Sequence, residues 1–102
     1  MKNIIKLTIT AAALSLSMNV TAGGDAAAGK VKSANCTGCH GMNGRSTNPD
    51  TPNLAGQKEN YLIKATKAYR DGQRKDPMMS PMVSGLSDAD IANLSAFFSS
   101  VK

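Results

Sequence analysis

The chain holds two cysteines and one histidine, and all three stand within five consecutive residues, Cys36-Thr37-Gly38-Cys39-His40. Two thiols at this spacing can each add across one vinyl group of a haem, and the histidine that follows then offers an imidazole nitrogen to the iron. Competing chemistries fit less well. A structural zinc site needs four nitrogen or sulfur ligands, and there is no further Cys or His to complete one. A thioredoxin-like redox pair expects a strand–helix–strand context, and no stretch alternates as a strand. A disulfide between these two cysteines would close too small a loop to staple a domain. The motif therefore predicts one covalently bound c-type haem, held through two thioethers, with His40 as a metal ligand.

The far side of such an iron needs its own ligand. Met42 follows His40 by two residues and cannot reach round the ring. Met78, Met79 and Met82 come some forty residues later, on a segment long enough to wrap to the other face. Thioether sulfur is a soft donor, and Met/His ligation goes with electron-transfer cytochromes of raised potential. The bland alternative is that these methionines fill gaps in the core. A loop does not ordinarily concentrate three of them.

The elements that must position these residues are helical. A first helix is expected over about 26–35, with Asp25 as N-cap and Ala27, Val31 and Ala34 on one face. A second covers roughly 59–70, with Leu62, Ala65 and Tyr69 in a stripe and Gly72 as the stop. A third begins at Ser87, whose pairing with Asp90 resembles a capping box, and its apolar stripe is Ile91, Leu94, Phe98 and Val101. Between them lie two long connections, 41–58 and 71–86, rich in turn residues. Loops of that length in a small domain usually carry function.

The amino terminus reads as an export leader. Lys2 and Lys6 precede an apolar run from Leu7 to Leu16, and Val20-Thr21-Ala22 offers small residues for cleavage. That run is too short to cross a bilayer, which takes roughly 20 apolar residues. The expected organisation is a signal peptide over 1–22 and one domain over 23–102, located in a bacterial periplasm. Loss of Lys2 and Lys6 lowers the net charge from +5 to +3, too mild a balance for nucleic-acid binding. The domain has no Trp, two Tyr and two Phe. So small a chain usually needs a staple or a cofactor to complete its core. A porphyrin would bury several hundred Å² of apolar surface, on the order of 10 kcal/mol at about 25 cal/mol per Å². The chain without haem is expected to be largely unfolded.

The segments GDAAAGKVKSANCTGCHGMNGRS, PNLAGQ, YLIKATKAYRDGQRKDPMMSPM and GLSDADIANLSAFF resemble the small class I cytochromes c of the bacterial c553/c4 type. The resemblance extends over essentially all of 23–102. It implies a compact all-α fold, three main helices around one covalent haem, with the first and last helices crossing and the haem edge exposed. It also implies that Met79 is the axial ligand, with Met82 beside the haem, and that the Pro52 carbonyl, rather than that of Pro49, accepts the N–H of the haem histidine. Proteins of the c4 type have two such domains and this chain has one, so it looks closer to the single-domain c553 members.

The resulting expectation is a soluble periplasmic one-electron carrier with Cys36, Cys39, His40 and Met79 as its site, and not an enzyme. A haem peroxidase or gas sensor is the rival from another class, but it would need an open sixth site and polar groups above the iron. An electron-entry module of a membrane oxidase complex is a third reading. Donor and acceptor would be redox proteins, with a membrane reductase or terminal oxidase among the candidates. Lys58, Lys64, Lys67, Arg70, Arg74 and Lys75 form either a docking patch for an acidic partner or an ordinary solvated face. Arg45 is equally a candidate for pairing with a haem propionate and for a plain loop charge.

Overall fold

In the computed structural model, which describes residues 23–102, Asp25 turns the chain into its first helix. The leader expected over 1–22 lies outside the described residues. The Asp25 carboxylate accepts hydrogen bonds from the Ala27 and Ala28 N–H groups and caps α1 (Ala26–Lys32). A 3-10 turn, Ser33–Asn35, continues α1 into α2 (Thr37–His40). After a second 3-10 turn, Met42–Gly44, an irregular segment leads to α3 (Glu59–Asp71), which ends at Gly72 in the left-handed conformation. Then come α4 (Met79–Val83) and α5 (Asp88–Ser100). Among the described residues there is no strand, so the fold is all-α as expected.

The α5 N-terminus carries the full capping box. Asp90 N–H donates to Ser87 Oγ at 3.0 Å, and Ser87 N–H donates to Asp90 Oδ2 at 3.1 Å. Two orphan donors are thereby satisfied reciprocally. The helix then buries Ile91, Leu94, Phe97 and Phe98. Leu62 from α3 joins Leu94, Phe97 and Phe98 in the core, and Cys36, Leu54, Leu86 and Val101 pack around them. The Phe97 and Phe98 rings lie 5.1 Å apart and tilted by 55°, an arrangement worth about 0.5–1.5 kcal/mol beyond burial.

The inward face of α1 differs from the one its hydropathy suggests. Ala27, Val31 and Ala34 are all exposed, Val31 at 81 %. The buried face instead carries Gly29 and Ser33, with Ala26 partly covered. The cause is the closeness of the α1–α5 crossing, the most extensive helix pairing of the fold. A Cβ on Gly29 would collide with the Asn93 carbonyl of α5. Asn93 also accepts from the Asp25 N–H at 2.8 Å, fixing the start of α1 on the same helix. Small residues face inward because nothing larger fits.

Ordinary helix propensity would favour Ala over Gly in a helix by roughly 0.5–1 kcal/mol. At position 29 the collision with backbone outweighs that gain, since overpacking costs about 1–3 kcal/mol. Gly29→Ala should therefore lower the denaturation midpoint. Gly85→Ala, where an added Cβ meets nothing within 4 Å, should leave it within error.

Candidate haem site

The Cys-Thr-Gly-Cys-His run is one helical turn. The His40 and Cys39 N–H groups both donate to the Cys36 carbonyl, at 2.9 and 3.3 Å. Thr37 Oγ1 donates to the Ala34 carbonyl at 2.9 Å, which ties it to the 3-10 turn that follows α1. Cys36 is half-buried against the core and Cys39 is exposed, and no disulfide joins them. Burial pushes the Cys36 thiol above its ordinary pKa, and the neighbouring Cys39 adds to the shift.

His40 is 7 % exposed. Its Nδ1 lies 2.8 Å from the Pro52 carbonyl oxygen. A carbonyl only accepts, so the hydrogen is on Nδ1 and the lone pair on Nε2. This is the partner expected for the histidine, and Pro49 does not take its place. The 41–58 segment is folded to deliver it. Gly44 has φ of 77°, a conformation that side chains rarely adopt, and a Cβ there would also press on the Phe98 ring. Its carbonyl accepts from both Leu54 and Ala55 N–H, at 2.8 and 3.1 Å. Ser46 N–H donates to Asn53 Oδ1 at 2.7 Å, beside Pro52. Gly56 N–H donates to the Phe98 carbonyl at 2.8 Å, which moors the end of the segment to α5.

The methionines separate by exposure. Met42, Met78 and Met82 are 74, 66 and 52 % exposed, whereas Met79 is partly buried. The Asp76 carboxylate accepts from the Met78 and Met79 N–H groups, at 2.8 and 2.9 Å. These bonds, Met79 first, hold its carboxyl below the usual carboxylate range. Asp76 was not among the residues singled out in the sequence. Its signal was readable, since Asp-Pro ahead of a short helix is a capping pattern.

The basic segment is partly neutralised by its own neighbours. Arg70 pairs with Asp71 at 2.9 Å and Asp88 at 2.7 Å, and it donates to the Leu86 carbonyl at 3.2 Å. The Arg70 guanidinium, and with it Lys67, holds both carboxyls below their usual range. Arg74 lies over the Tyr69 ring at 4.4 Å. Lys58, Lys64 and Lys75 are exposed and make no ion pair among the described residues. Arg45 is also exposed, with no ion pair. No described helix is long and apolar enough to cross a membrane.

The family model for cytochrome c matches residues 26–102. The chain belongs to the cytochrome c family. It is 52 % identical over 80 residues to cytochrome c-554(548) of Halomonas halodenitrificans, an alignment spanning 76 % of this chain and 96 % of that protein. It is 43 % identical over 101 residues to cytochrome c4 of Pseudomonas aeruginosa, spanning 99 % of this chain and 49 % of the relative. The crystal structure of reduced recombinant cytochrome c4 from Pseudomonas stutzeri superposes with a TM-score of 0.75 at 42 % identity, over 78 % of this chain and 47 % of that one. The chain thus spans nearly all of one relative and about half of the cytochromes c4.

As a cytochrome c, the protein is an electron carrier with covalently bound haem c rather than an enzyme. The donor set fits that group: two cysteines and a buried imidazole with one committed nitrogen share a single turn, and His40 and Met79 fit His/Met ligation. Haem attached through thioethers should survive acid–acetone extraction, which strips haem held by coordination alone. Replacing Cys36 and Cys39 together by Ala should leave a colourless chain with little helical circular dichroism.

Proposed function

We propose that the protein is a soluble periplasmic one-electron carrier whose haem is held by Cys36 and Cys39 and ligated by His40 and Met79. The observation that carries this reading is the Nδ1–H bond from His40 to Pro52, which commits one ring nitrogen and leaves Nε2 for a metal. When bound, the haem supplies a one-electron iron couple. The residues around it do the rest. Pro52 keeps the imidazole in one tautomer and orientation, as outer-shell partners of ligating histidines do. Core packing around Cys36 holds the attachment turn against α5. Met79 supplies a neutral, soft donor from α4, a ligand type that raises potential. With His40 and Met79 as its ligands, the iron would have both axial positions filled by protein side chains, which disfavours the peroxidase and gas-sensor readings. Export to the periplasm rests on the leader pattern at 1–22.

Three separate Met→Ala variants test the ligand. The readouts are the weak red band of sulfur-ligated ferric haem, the reduction potential and carbon monoxide binding to the reduced protein. Met79→Ala should lose the band, lower the potential and open the iron to carbon monoxide. Met78→Ala and Met82→Ala should keep the band. Loss of the band in one of those two, with Met79→Ala unaffected, overturns the assignment.

The partner surface is read as the cationic end of α3 and its approach. Lys58 and Lys64 are unpaired there, whereas Arg70 pairs with Asp71 and Asp88, and Lys67 lies near enough to both carboxyls to help lower their pKa. Transfer to an acidic redox protein should slow as salt rises, because the screening length shrinks to about 8 Å near 0.15 M. Lys64→Glu should slow it more than Lys67→Glu, with neither changing the potential. A rate indifferent to salt and to both reversals returns the segment to an ordinary solvated face.

A further inference from the structure

Met78 and Met79 are adjacent, chemically identical, and both on the 71–86 segment, yet only one can be the ligand. Consecutive helical residues point about 100° apart, so a one-residue shift in where the turn starts would exchange them. Met79 opens α4, which has five residues, and Met78 is the residue just before it. A helix so short does not hold its own register, because the first turn fixes several residues for one hydrogen bond. Something outside it must define its first residue.

That definition comes from Asp76. Its Oδ1 accepts from both Met78 and Met79 N–H, at 2.8 and 2.9 Å. Ser80 N–H donates to the Asp76 carbonyl at 3.1 Å, and one bond runs the other way, from Asp76 N–H to Ser80 Oγ at 3.0 Å. Pro77, which has no N–H to lose, sits at the one intervening position where a donor would be orphaned. Two hydrogen bonds thus join Asp76 to Ser80 across the methionines, and two more tie the methionine N–H groups to Asp76. In this register Met78 faces solvent and Met79 is partly covered.

We infer that Asp76 is the positioning residue that selects Met79 over Met78 as the axial ligand. The inference rests on the Met79 reading above and adds the cause of the choice. It depends on where the acceptor oxygen sits, not on its charge. Asn at 76 keeps an oxygen at the same distance from the backbone, whereas Glu keeps the charge and moves the oxygen outward by one methylene.

The experiment compares holoproteins carrying Asp76→Asn, Asp76→Glu, Asp76→Ala and Met79→Ala, each read by the red band, the potential, carbon monoxide binding and the denaturant midpoint. Asp76→Asn should keep the band and the potential. Asp76→Glu and Asp76→Ala should lose most of the band and bind carbon monoxide, to a degree that does not track their midpoints. Adding Met78→Ala to Asp76→Ala should remove whatever band remains if Met78 has taken over. A normal band and potential in both Asp76→Glu and Asp76→Ala, with Met79→Ala bandless, overturns the inference and leaves the ligand reading standing. A band retained in Met79→Ala itself overturns the ligand reading instead. Should Asp76→Ala fail to yield holoprotein, Asp76→Glu against Asp76→Asn decides alone.

Discussion

The close crossing of α1 over α5 is the contact on which the other elements are hung. Gly29 lets the two backbones meet where any side chain would collide with the Asn93 carbonyl. Asp25 is bound to the Asn93 side chain at the same place. Because α1 runs through a 3-10 turn straight into α2, the position of α1 on α5 also sets where Cys36, Cys39 and His40 lie. The same helix receives the other two suppliers of the site. Gly56 N–H bonds the Phe98 carbonyl and so anchors the segment bearing Pro52. Arg70 bridges the end of α3 to Leu86 and Asp88, the two sides of the entry to α5, and closes the base of the segment bearing Met79. Proline, histidine and methionine are thus each referred to one rigid helix, though they come from three different parts of the chain.

The two irregular segments are ordered by polar bonds more than by burial. Between residues 41 and 58 the Gly44 carbonyl, the Asn53 side chain and the Phe98 carbonyl do the tethering. Between 71 and 86 it is Asp76, Ser80 and Arg70. For a one-electron carrier this arrangement has a physical use. Each hydrogen bond fixes a distance and a direction, whereas apolar packing fixes mainly a volume. Ligands held this way need to move little when the metal charge changes. An imidazole turned by the Pro52 carbonyl and a methionine framed by Asp76 are both constrained in direction.

What could be read from the residues alone was what residue type and local spacing determine. The Cys-Thr-Gly-Cys-His turn announces its chemistry because no other use fits two thiols and one imidazole at that spacing. The Asp25 cap, the Ser87–Asp90 box and the Gly72 stop were legible because capping is a short-range affair. The inward face of α1 was not, since hydropathy points to Val31 while the packing demands Gly29 and Ser33. The need for small residues is created by a partner helix more than sixty residues away, and local periodicity carries no trace of it. The short helices α2 and α4 were hidden for a related reason. Each is held by bonds at its ends rather than by an apolar stripe, and a stripe is what periodicity detects.

A thin core explains why covalent attachment suits this chain. Among the described residues Ile91 is the only large side chain wholly withdrawn from solvent, and the core cluster rests on one leucine from α3 with one leucine and two phenylalanines from α5. Such a domain leaves little margin over the conformational entropy it must overcome. A cofactor that completes the core by reversible binding stabilises the fold only as far as its free concentration exceeds its dissociation constant. Dilution, or export into a compartment without free haem, would remove that support. Two thioethers make the contribution independent of concentration, since the cofactor then unfolds with the chain and remains at hand for refolding. Cys36 is placed accordingly, its sulfur-bearing turn packed directly on the Leu62, Leu94 and Phe97 cluster. In this protein the attachment chemistry is as much a part of the hydrophobic core as of the redox site.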